Sequence, residues 1–270
     1  MPILMLRPSS PALAPFVESL WHFTGELPHA RERILPTGTM QLLVNLYEDE
    51  LRTYAADGRG SAERIRGAAF CGAYARPFAI DTLEQRHVIG VAFRPGGAAP
   101  FLRDPADALR EDHVELDRLW GRDGALLRER LLDAPTPAAA LRTLERVLLE
   151  QVARPLEVDK LVELAIGALD RGAPVGALTA RLGTTPRRFI RHFESAVGIT
   201  PKRFARVRRF GRVLESVERG RPVRWSAVAA WCGYFDQAHL IHDFQEFSGM
   251  SPTEYRPRAQ GDRNHALIGD

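Results

Sequence analysis

The sequence predicts an α+β protein, with a strand-rich amino-terminal part followed by an all-α carboxy-terminal domain. Three observations predict this class. Short alternating apolar runs, separated by Gly and Pro turns, fill the first hundred residues. Helical periodicity replaces them from residue 106, and a unit of two short helices joined by a glycine turn occurs twice between residues 175 and 255. The length of 270 residues suffices for two domains, and no apolar run approaches the length of a membrane span.

Six short strands are expected in the amino-terminal part. Each is rich in apolar or β-branched residues, and they cover residues 19–24, 39–46, 51–54, 69–74, 78–83 and 87–93. Turn signals such as Pro36-Thr37-Gly38 and Asp57-Gly58 separate them. Regular short strands of this kind predict a small β-barrel or sandwich, which we place at residues 1–105.

Residues 106–154 are predicted to be helical, and their apolar stripes must be buried. The clearest stripe contains Leu141, Leu144, Leu148 and Val152, at spacings of three or four. Two neighbours remain open for these helices, namely the β-domain of the same subunit or a partner chain. We expect a homodimer with this stripe in its interface.

A repeated unit organises residues 155–258. Phe193 and Phe244 are equivalent positions 51 residues apart, and the expected helix N-caps Thr185 and Asp236 have the same offset. Each unit has a first short helix, a glycine turn and a capped second helix, and a long helix from Pro201 to about residue 219 joins the two units. This is the helix-turn-helix arrangement with which proteins enter the DNA major groove.

The charge distribution favours nucleic acid as the partner of this domain. Residues 1–154 contain 19 Arg and 21 acidic residues, whereas residues 155–258 contain 17 basic and 11 acidic residues. Between Thr185 and Arg212 there are nine basic residues and one acid, Glu194. An arginine-rich face that merely solvates a helix is the alternative interpretation. The asymmetry between the two parts of the chain makes that alternative the weaker one.

The motif of the second unit carries a family resemblance. It reads Ala229-Ala230-Trp231-Cys232-Gly233-Tyr234-Phe235-Asp236-Gln237-Ala238-His239-Leu240-Ile241, followed by Phe244, Gly249, Ser251-Pro252 and Tyr255-Arg256. With this motif, residues 155–258 resemble the DNA-binding domain of the AraC family of bacterial transcriptional regulators. Leu240 stands where the family often has Phe, and His242 where it commonly has Arg. The Leu35–Gly38 turn and the Val91–Gly97 stretch are similar to the amino-terminal domains of one AraC subgroup, which implies a cupin-like barrel that senses an effector.

Helical phase and the family motif predict which side chains contact DNA. The expected base-facing residues are Arg187, Ile190, Arg191, Gln237, Ala238, Ile241 and His242. The expected phosphate contacts are Thr185, Arg188, Lys202, Arg208, Arg209 and Asp236. Because the two recognition helices differ in chemistry, one subunit is expected to read a single asymmetric site that spans two successive major grooves.

An effector pocket is expected to involve Trp21, His22, Gln41 and Arg94. Arg94 follows a strand and is predicted either to hold an anionic ligand or to bridge to Asp104 or Asp107 across a turn. Neither a metal site nor a cofactor is expected, because His22 and His87 lack the closely spaced His pair and Glu of a metal-binding cupin.

We therefore predict a non-enzymatic, sequence-specific regulator in the bacterial cytoplasm. Its expected partners are double-stranded operator DNA, a small-molecule effector and, for an activator, RNA polymerase. No membrane association is expected. Residues 259–270 are expected to be a flexible tail. One alternative is an enzyme resembling the DNA-repair methyltransferases that carry an AraC-type module, but Cys71 and Cys232 lie in apolar settings unsuited to a nucleophile. In another alternative, the β-domain only dimerises.

Overall fold

The computed structural model describes residues 3–217, 223–259 and 262–268. Its strands, in chain order, are β1 (Ile3–Leu6), β2 (Val17–Thr24), β3 (Arg31–Ile34), β4 (Gln41–Asn45), β5 (Leu51–Tyr54), β6 (Glu63–Ile65), β7 (Ala68–Cys71), β8 (Phe78–Asp81), β9 (His87–Phe93), β10 (His113–Glu115), β11 (Pro257–Ala259) and β12 (Asp262–Leu267). Its α-helices are α1 (Leu116–Trp120), α2 (Arg122–Leu132), α3 (Pro137–Glu150), α4 (Lys160–Asp170), α5 (Val175–Arg181), α6 (Pro186–Val197), α7 (Pro201–Ser216), α8 (Trp225–Cys232) and α9 (Gln237–Ser248). Short 3-10 turns occur at Glu84–Arg86, Ala99–Phe101 and Ala106–Leu109. The predicted α+β class, with a sheet-rich domain followed by a helical one, is confirmed.

The strands form two antiparallel six-stranded sheets. The first has the order β1-β2-β9-β4-β7-β10, and the second has the order β11-β12-β3-β8-β5-β6. Residues from both sheets line one internal cavity, so the sheets face each other. All six predicted strands are present, as β2, β4, β5, β7, β8 and β9. The cupin-like description of this domain stays a prediction.

The helices α1 to α3 cover the outer face of the first sheet. Leu144 and Leu148 of α3 have no exposed surface, and α3 contacts β1 and β2 of the same chain. Leu141 is also buried, and Val152 is half-buried against the same core. The prediction that this stripe forms a dimer interface is therefore wrong. Three-four spacing is equally suited to a sheet of the same subunit and to a partner helix.

The carboxy-terminal end of the chain differs from the expected flexible tail. After the helical domain, β12 returns to the second sheet and pairs with β3, with His265 opposite Ile34 and Leu267 opposite Glu32. The strand β10 likewise lies beyond residue 105 and pairs with β7 in the first sheet. The β-domain is thus not confined to residues 1–105, because both strands complete its sheets through backbone hydrogen bonds.

The helical domain has local chemistry that agrees with its helix boundaries. Thr185 accepts a hydrogen bond from the Arg188 backbone N–H, and Asp236 accepts one from the His239 N–H at 2.7 Å, so both predicted N-caps are confirmed. Gly198, with φ of 93°, ends α6 in the left-handed region that favours glycine. Buried aromatic rings on α6, α7 and α9 form its core. None of the described helices has the combination of length and apolar character needed to cross a membrane.

Candidate nucleic-acid interface

The first recognition helix, α6, presents a basic outer surface. Phe189 and Phe193 face the core with no more than 1% of their surface exposed, which fixes the rotation of the helix. Arg187, Arg188 and Arg191 are consequently exposed on the opposite side. In the described parts of the chain, none of these three guanidinium groups has an ion-pair partner. They are free to bind an anion or a base edge.

The second recognition helix, α9, has a different outer surface. Gln237, Ala238 and His242 are exposed, whereas the neighbouring Leu240 is fully buried. This surface carries amide and methyl groups rather than guanidinium groups.

Ile190 of α6 and Ile241 of α9 lie at the margin of these surfaces. Both are half-buried and pack partly against the hydrophobic core. Each therefore has only part of its side chain available to a base.

Two of the predicted phosphate contacts are engaged inside the protein. The Arg208 guanidinium donates to the Asp170 carboxylate at 2.9 Å. Arg209 donates to Asp243 at 3.0 Å and lies over the Tyr234 ring at 4.3 Å from its centroid. Both arginines thus fasten α7 to neighbouring helices, and each guanidinium group is already paired in this structure. Lys202, in contrast, is exposed and has no ion-pair partner among the described residues.

Asp236 does not fit the predicted phosphate contact either. Its carboxylate caps α9, and a carboxylate only accepts hydrogen bonds and repels a phosphate. Thr185 caps α6 in the same way but is neutral, so it tolerates a phosphate near its position.

A buried acid that the sequence analysis missed sets the packing between α7 and α9. Asp243 has no exposed surface and accepts from Arg206 at 2.7 Å as well as from Arg209. Arg206 also pairs with Glu246. Burial alone would lower the pKa of Arg206, but its hydrogen bonds to the two carboxylates raise it. The charged form of Arg206 is therefore stabilised, and these ion pairs fasten α9 to α7.

Two exposed aromatic rings adjoin the second recognition helix. Phe235, immediately before the cap of α9, is 92% exposed, and Trp231 on α8 is 70% exposed. Both belong to the motif quoted above, but the sequence analysis assigned neither of them a role. Large exposed rings next to a polar surface are candidates for contact with another molecule.

A family comparison supports this geometry. The model of a helix-turn-helix domain matches residues 178–258. The carboxy-terminal domain is of the AraC type. This assignment supports a DNA-binding transcriptional regulator.

Other comparisons concern the rest of the chain. The model of a domain of unknown function (DUF6597) matches residues 6–115, and no curated protein matches the chain significantly. A 1.65 Å structure of ToxT from Vibrio cholerae has 9% identity and a TM-score of 0.45, covering 87% of this chain and 95% of that chain. ToxT of V. cholerae strain SCE256 bound to an unsaturated fatty acid has 10% identity and a TM-score of 0.42, covering 87% and 92%. With TM-scores this low, the fold assignment depends on the geometry described above.

The cavity between the two sheets lies in the β-domain. Its volume is about 110 Å³, and Trp21, Gln41, Leu43 and Val88 of the first sheet line it. Opposite them are side chains of the second sheet, among them Ile34, Leu51, Thr53, Phe78 and Ile80. The structure thus brings together two of the four predicted pocket residues, Trp21 and Gln41.

His22 and Arg94 lie elsewhere. Adjacent residues of a strand point to opposite faces, so His22 faces away from the cavity that Trp21 lines. It contacts His87 with 2.9 Å between the two Nε2 atoms, and burial, together with His87, lowers its pKa. Arg94 lines a separate cleft beside α4 and α6, and its Nε donates to the Ala14 carbonyl. Neither Asp104 nor Asp107 is among its described ion-pair partners.

The polar groups of the cavity are mainly neutral. Tyr74 Oη and His113 Nδ1 are 2.6 Å apart, and burial lowers the pKa of His113 to about 4. Burial also raises the pKa of the Cys71 thiol, which keeps it protonated. Arg52, a cation in the cavity wall, has acidic partners that include Glu48. The cavity therefore offers hydrogen bonds without an uncompensated charge.

The environment of both thiols is unsuited to the nucleophilic cysteine that the alternative enzyme would need. Cys71 and Cys232 are both buried, and desolvation raises both of their pKa values, whereas a nucleophilic thiol needs a lowered one. Over the described ranges, no group of three or more His, Cys, Asp and Glu residues is placed to hold a metal ion.

Proposed function

We propose that this protein is a sequence-specific transcriptional regulator whose AraC-type domain reads operator DNA with two dissimilar recognition helices. The observation that carries the proposal is the contrast between unpaired and paired arginines. Arg187, Arg188 and Arg191 project from α6 without described partners, while Arg206, Arg208 and Arg209 of α7 are held by acids. If the arginines served only to solvate the helices, there would be no cause for those of α6 to be unpaired and those of α7 to be paired with acids.

The exposed chemistry of each helix suggests what it reads. Arg187 and Arg191 are suited to guanine, which accepts two hydrogen bonds from one guanidinium group in the major groove. Gln237 is suited to adenine, and Ala238 to the methyl group of thymine. His242 and the accessible edges of Ile190 and Ile241 complete the two surfaces.

Phosphate binding falls to the residues that remain free. Arg188 and Lys202 are exposed cations near the reading surface, and Thr185 offers a hydroxyl at the start of α6. Neutralised phosphates release counterions, so these residues are expected to provide affinity that depends on salt but not on sequence.

Because α6 and α9 differ in chemistry, we propose that one subunit reads an asymmetric site. The two recognition helices would occupy successive major grooves about 34 Å apart on one face of the duplex. We further propose a homodimer acting in the bacterial cytoplasm, whose interface lies outside the buried stripe of α3, and contact with RNA polymerase at promoters that it activates.

The inter-sheet cavity is the proposed effector site. It is enclosed by both sheets, it is mostly apolar, and Gln41, Tyr74 and His113 offer convergent hydrogen-bonding groups. The pocket of this proposal thus retains Trp21 and Gln41 but replaces His22 and Arg94 with residues of β8, β10 and β12.

Selection of binding sites from a random duplex pool tests the proposal. The full-length protein is expected to enrich one asymmetric sequence, and the double variant R187A/R191A is expected to lose the preference in one half of it. R118A is the matched control, because Arg118 is 73% exposed on α1 in the other domain. Enrichment of no sequence, or an unchanged preference in R187A/R191A, would refute the proposal.

A further inference from the structure

The carboxyl ends of both recognition helices are held by arginines of the amino-terminal domain. The Arg33 Nη1 of β3 donates to the backbone carbonyl of Ser248, the last residue of α9, at 2.9 Å. The Arg110 Nε donates to the Gly198 carbonyl just after α6 at 3.0 Å, and its Nη2 donates to Glu194 at 2.9 Å. A cation at a helix carboxyl end satisfies free carbonyl groups and interacts favourably with the helix dipole.

Each of these arginines is adjacent to the wall of the inter-sheet cavity. Arg33 immediately precedes Ile34 and Leu35, and both of these residues line the cavity. Its own side chain is 8% exposed and also donates to the Ala56 carbonyl, so it cannot shift independently of its strand. A displacement of β3 by a ligand would therefore be transmitted to the end of α9.

Arg110 is connected to the opposite side of the same cavity. The Gly72 N–H donates to the Asp112 carbonyl at 2.9 Å, and both Gly72 and His113 line the cavity. A Cβ at Gly72 would lie 1.6 Å from the Leu109 carbonyl oxygen, so this loop packs directly on the sheet. Glu111, next to Arg110, has φ of 54°, which is uncommon for a residue other than glycine and stores local strain.

A third connection runs through β12, which follows the AraC-type domain in sequence. Its Asn264 and His265 line the cavity, and Tyr255 of the AraC-type domain donates to the Arg263 carbonyl at 2.7 Å. The Tyr255 ring also packs edge-on against Phe244 of α9. The segment from Tyr255 to His265 thus contacts the second recognition helix at one end and lines the cavity at the other.

We infer that Arg33 and Arg110 transmit occupancy of the inter-sheet cavity to the two recognition helices. The inference depends on the proposed function, because it assigns the regulation of the same DNA-binding surface. Each recognition helix has its own arginine contact with the β-domain. When the sheets adjust around a ligand, these two contacts shift α6 and α9 relative to each other. By linkage, a ligand that changes the DNA affinity must itself bind with a different affinity when DNA is present.

The cavity also assigns the chemical class of the ligand. The Arg52 guanidinium and the His265 imidazole in its wall already have the acidic partners Glu48 and Glu32. Glu32 has no exposed surface; burial alone would raise its pKa, but hydrogen bonding to His265 lowers it to about 2. An ionic ligand would find no free counter-charge here. The site therefore takes an uncharged, largely apolar molecule with one or two hydrogen-bonding groups. Its volume of about 110 Å³ is below the roughly 150 Å³ of an apolar cavity that holds benzene, so the ligand is no larger than a single aromatic ring.

Phenol serves as the neutral probe and benzoate as its anionic counterpart. For the wild type, saturating phenol is expected to raise the melting temperature and to change the Kd for the selected duplex at least fivefold, whereas benzoate does neither. In R33M/R110M, phenol should still raise the melting temperature but change Kd less than twofold. R110M alone, at a partly exposed site, should show an intermediate effect and guards against a folding defect in the double variant. R118M should behave as the wild type.

The outcomes separate the two proposals. Wild-type coupling that persists in a folded R33M/R110M protein would overturn the role of the arginines. Absence of a phenol-induced rise in melting temperature, or an equal rise with benzoate, would overturn the ligand class and the inference with it. The binding curve of the wild type without phenol reports on the proposed function alone, so a failure to bind any selected duplex is recognised independently.

Discussion

Arg191→Ala is expected to weaken operator binding without weakening the fold. The Arg191 side chain is exposed on α6 and has no described ion-pair partner, so its removal leaves no buried charge unpaired. The free energy of unfolding should change by less than about 0.5 kcal/mol, as for surface substitutions in general. If the guanidinium group reads guanine, the loss of two hydrogen bonds costs about 1–3 kcal/mol of binding free energy. This corresponds to a Kd increase of about 5- to 150-fold.

Two further arginine variants serve as controls for this prediction. Arg188→Ala removes a proposed phosphate contact, so it should weaken binding to every duplex alike and make the log–log salt dependence shallower by about 0.9. Arg208→Ala removes the ion pair with Asp170, in which both side chains remain more than 30% exposed. It should therefore cost less than about 1 kcal/mol of folding stability and leave the salt dependence unchanged.

Fluorescence anisotropy with the selected duplex and with single-base variants of it measures these effects. For Arg191→Ala, the preference should relax at one base position and remain at the others. Wild-type affinity in Arg191→Ala, or a uniform loss over all duplexes, would show that this side chain does not read a base and that α6 is docked in another orientation.

Three other predictions concern the core, the cavity and the exposed aromatic ring. L144E/L148E should abolish cooperative unfolding, measured by circular dichroism, because it buries two charges under the first sheet. L149E, at a 39% exposed position of the same helix, should still unfold cooperatively. A folded double variant would contradict the assigned packing of this helix. Because the pKa of His113 is lowered to about 4, the unfolded state binds more protons than the folded state below about pH 6.5. The free energy of unfolding, measured by urea denaturation, should therefore fall by about 2 kcal/mol from pH 7 to pH 5. H113Q should lose this contribution to the pH dependence. F235S should reduce operator affinity by roughly 1–2 kcal/mol with an unchanged melting temperature, because the DNA complex buries a ring that is 92% exposed in the free protein, and equal affinities would place that ring outside the interface.

The parts of the fold that depend on local chemistry could be predicted from the sequence. The Thr185 and Asp236 caps and the glycine after α6 define helix ends through contacts within a few residues. The six predicted strands have apolar alternation. β3, with the sequence Arg31-Glu32-Arg33-Ile34, has no such alternation, and its partner β12 lies more than 200 residues away. No local signal identifies a strand whose pairing is that remote.

For the DNA-binding surface, the sequence could predict only which side of each helix is exposed, because the apolar pattern determines which side is buried. Helical phase correctly placed the exposed side of α6, but it could not identify the acids that hold Arg208 and Arg209, because Asp170 and Asp243 come from other helices. The pocket prediction contained an avoidable error, since strand alternation already separates Trp21 from His22. The arginines at the recognition-helix ends could not be found, because the sequence does not show how the two domains dock.

Hydroxyl-radical footprinting of the full-length protein on its selected duplex tests the central claim most directly. The account predicts protection of two successive major grooves of unlike sequence on one face of the duplex, about 34 Å apart, for each bound subunit. R187A/R191A should lose protection of one of these grooves and keep that of the other. Protection of a single groove per subunit, or two protected grooves of palindromic sequence within the reach of one subunit, would contradict two dissimilar recognition helices reading one asymmetric site.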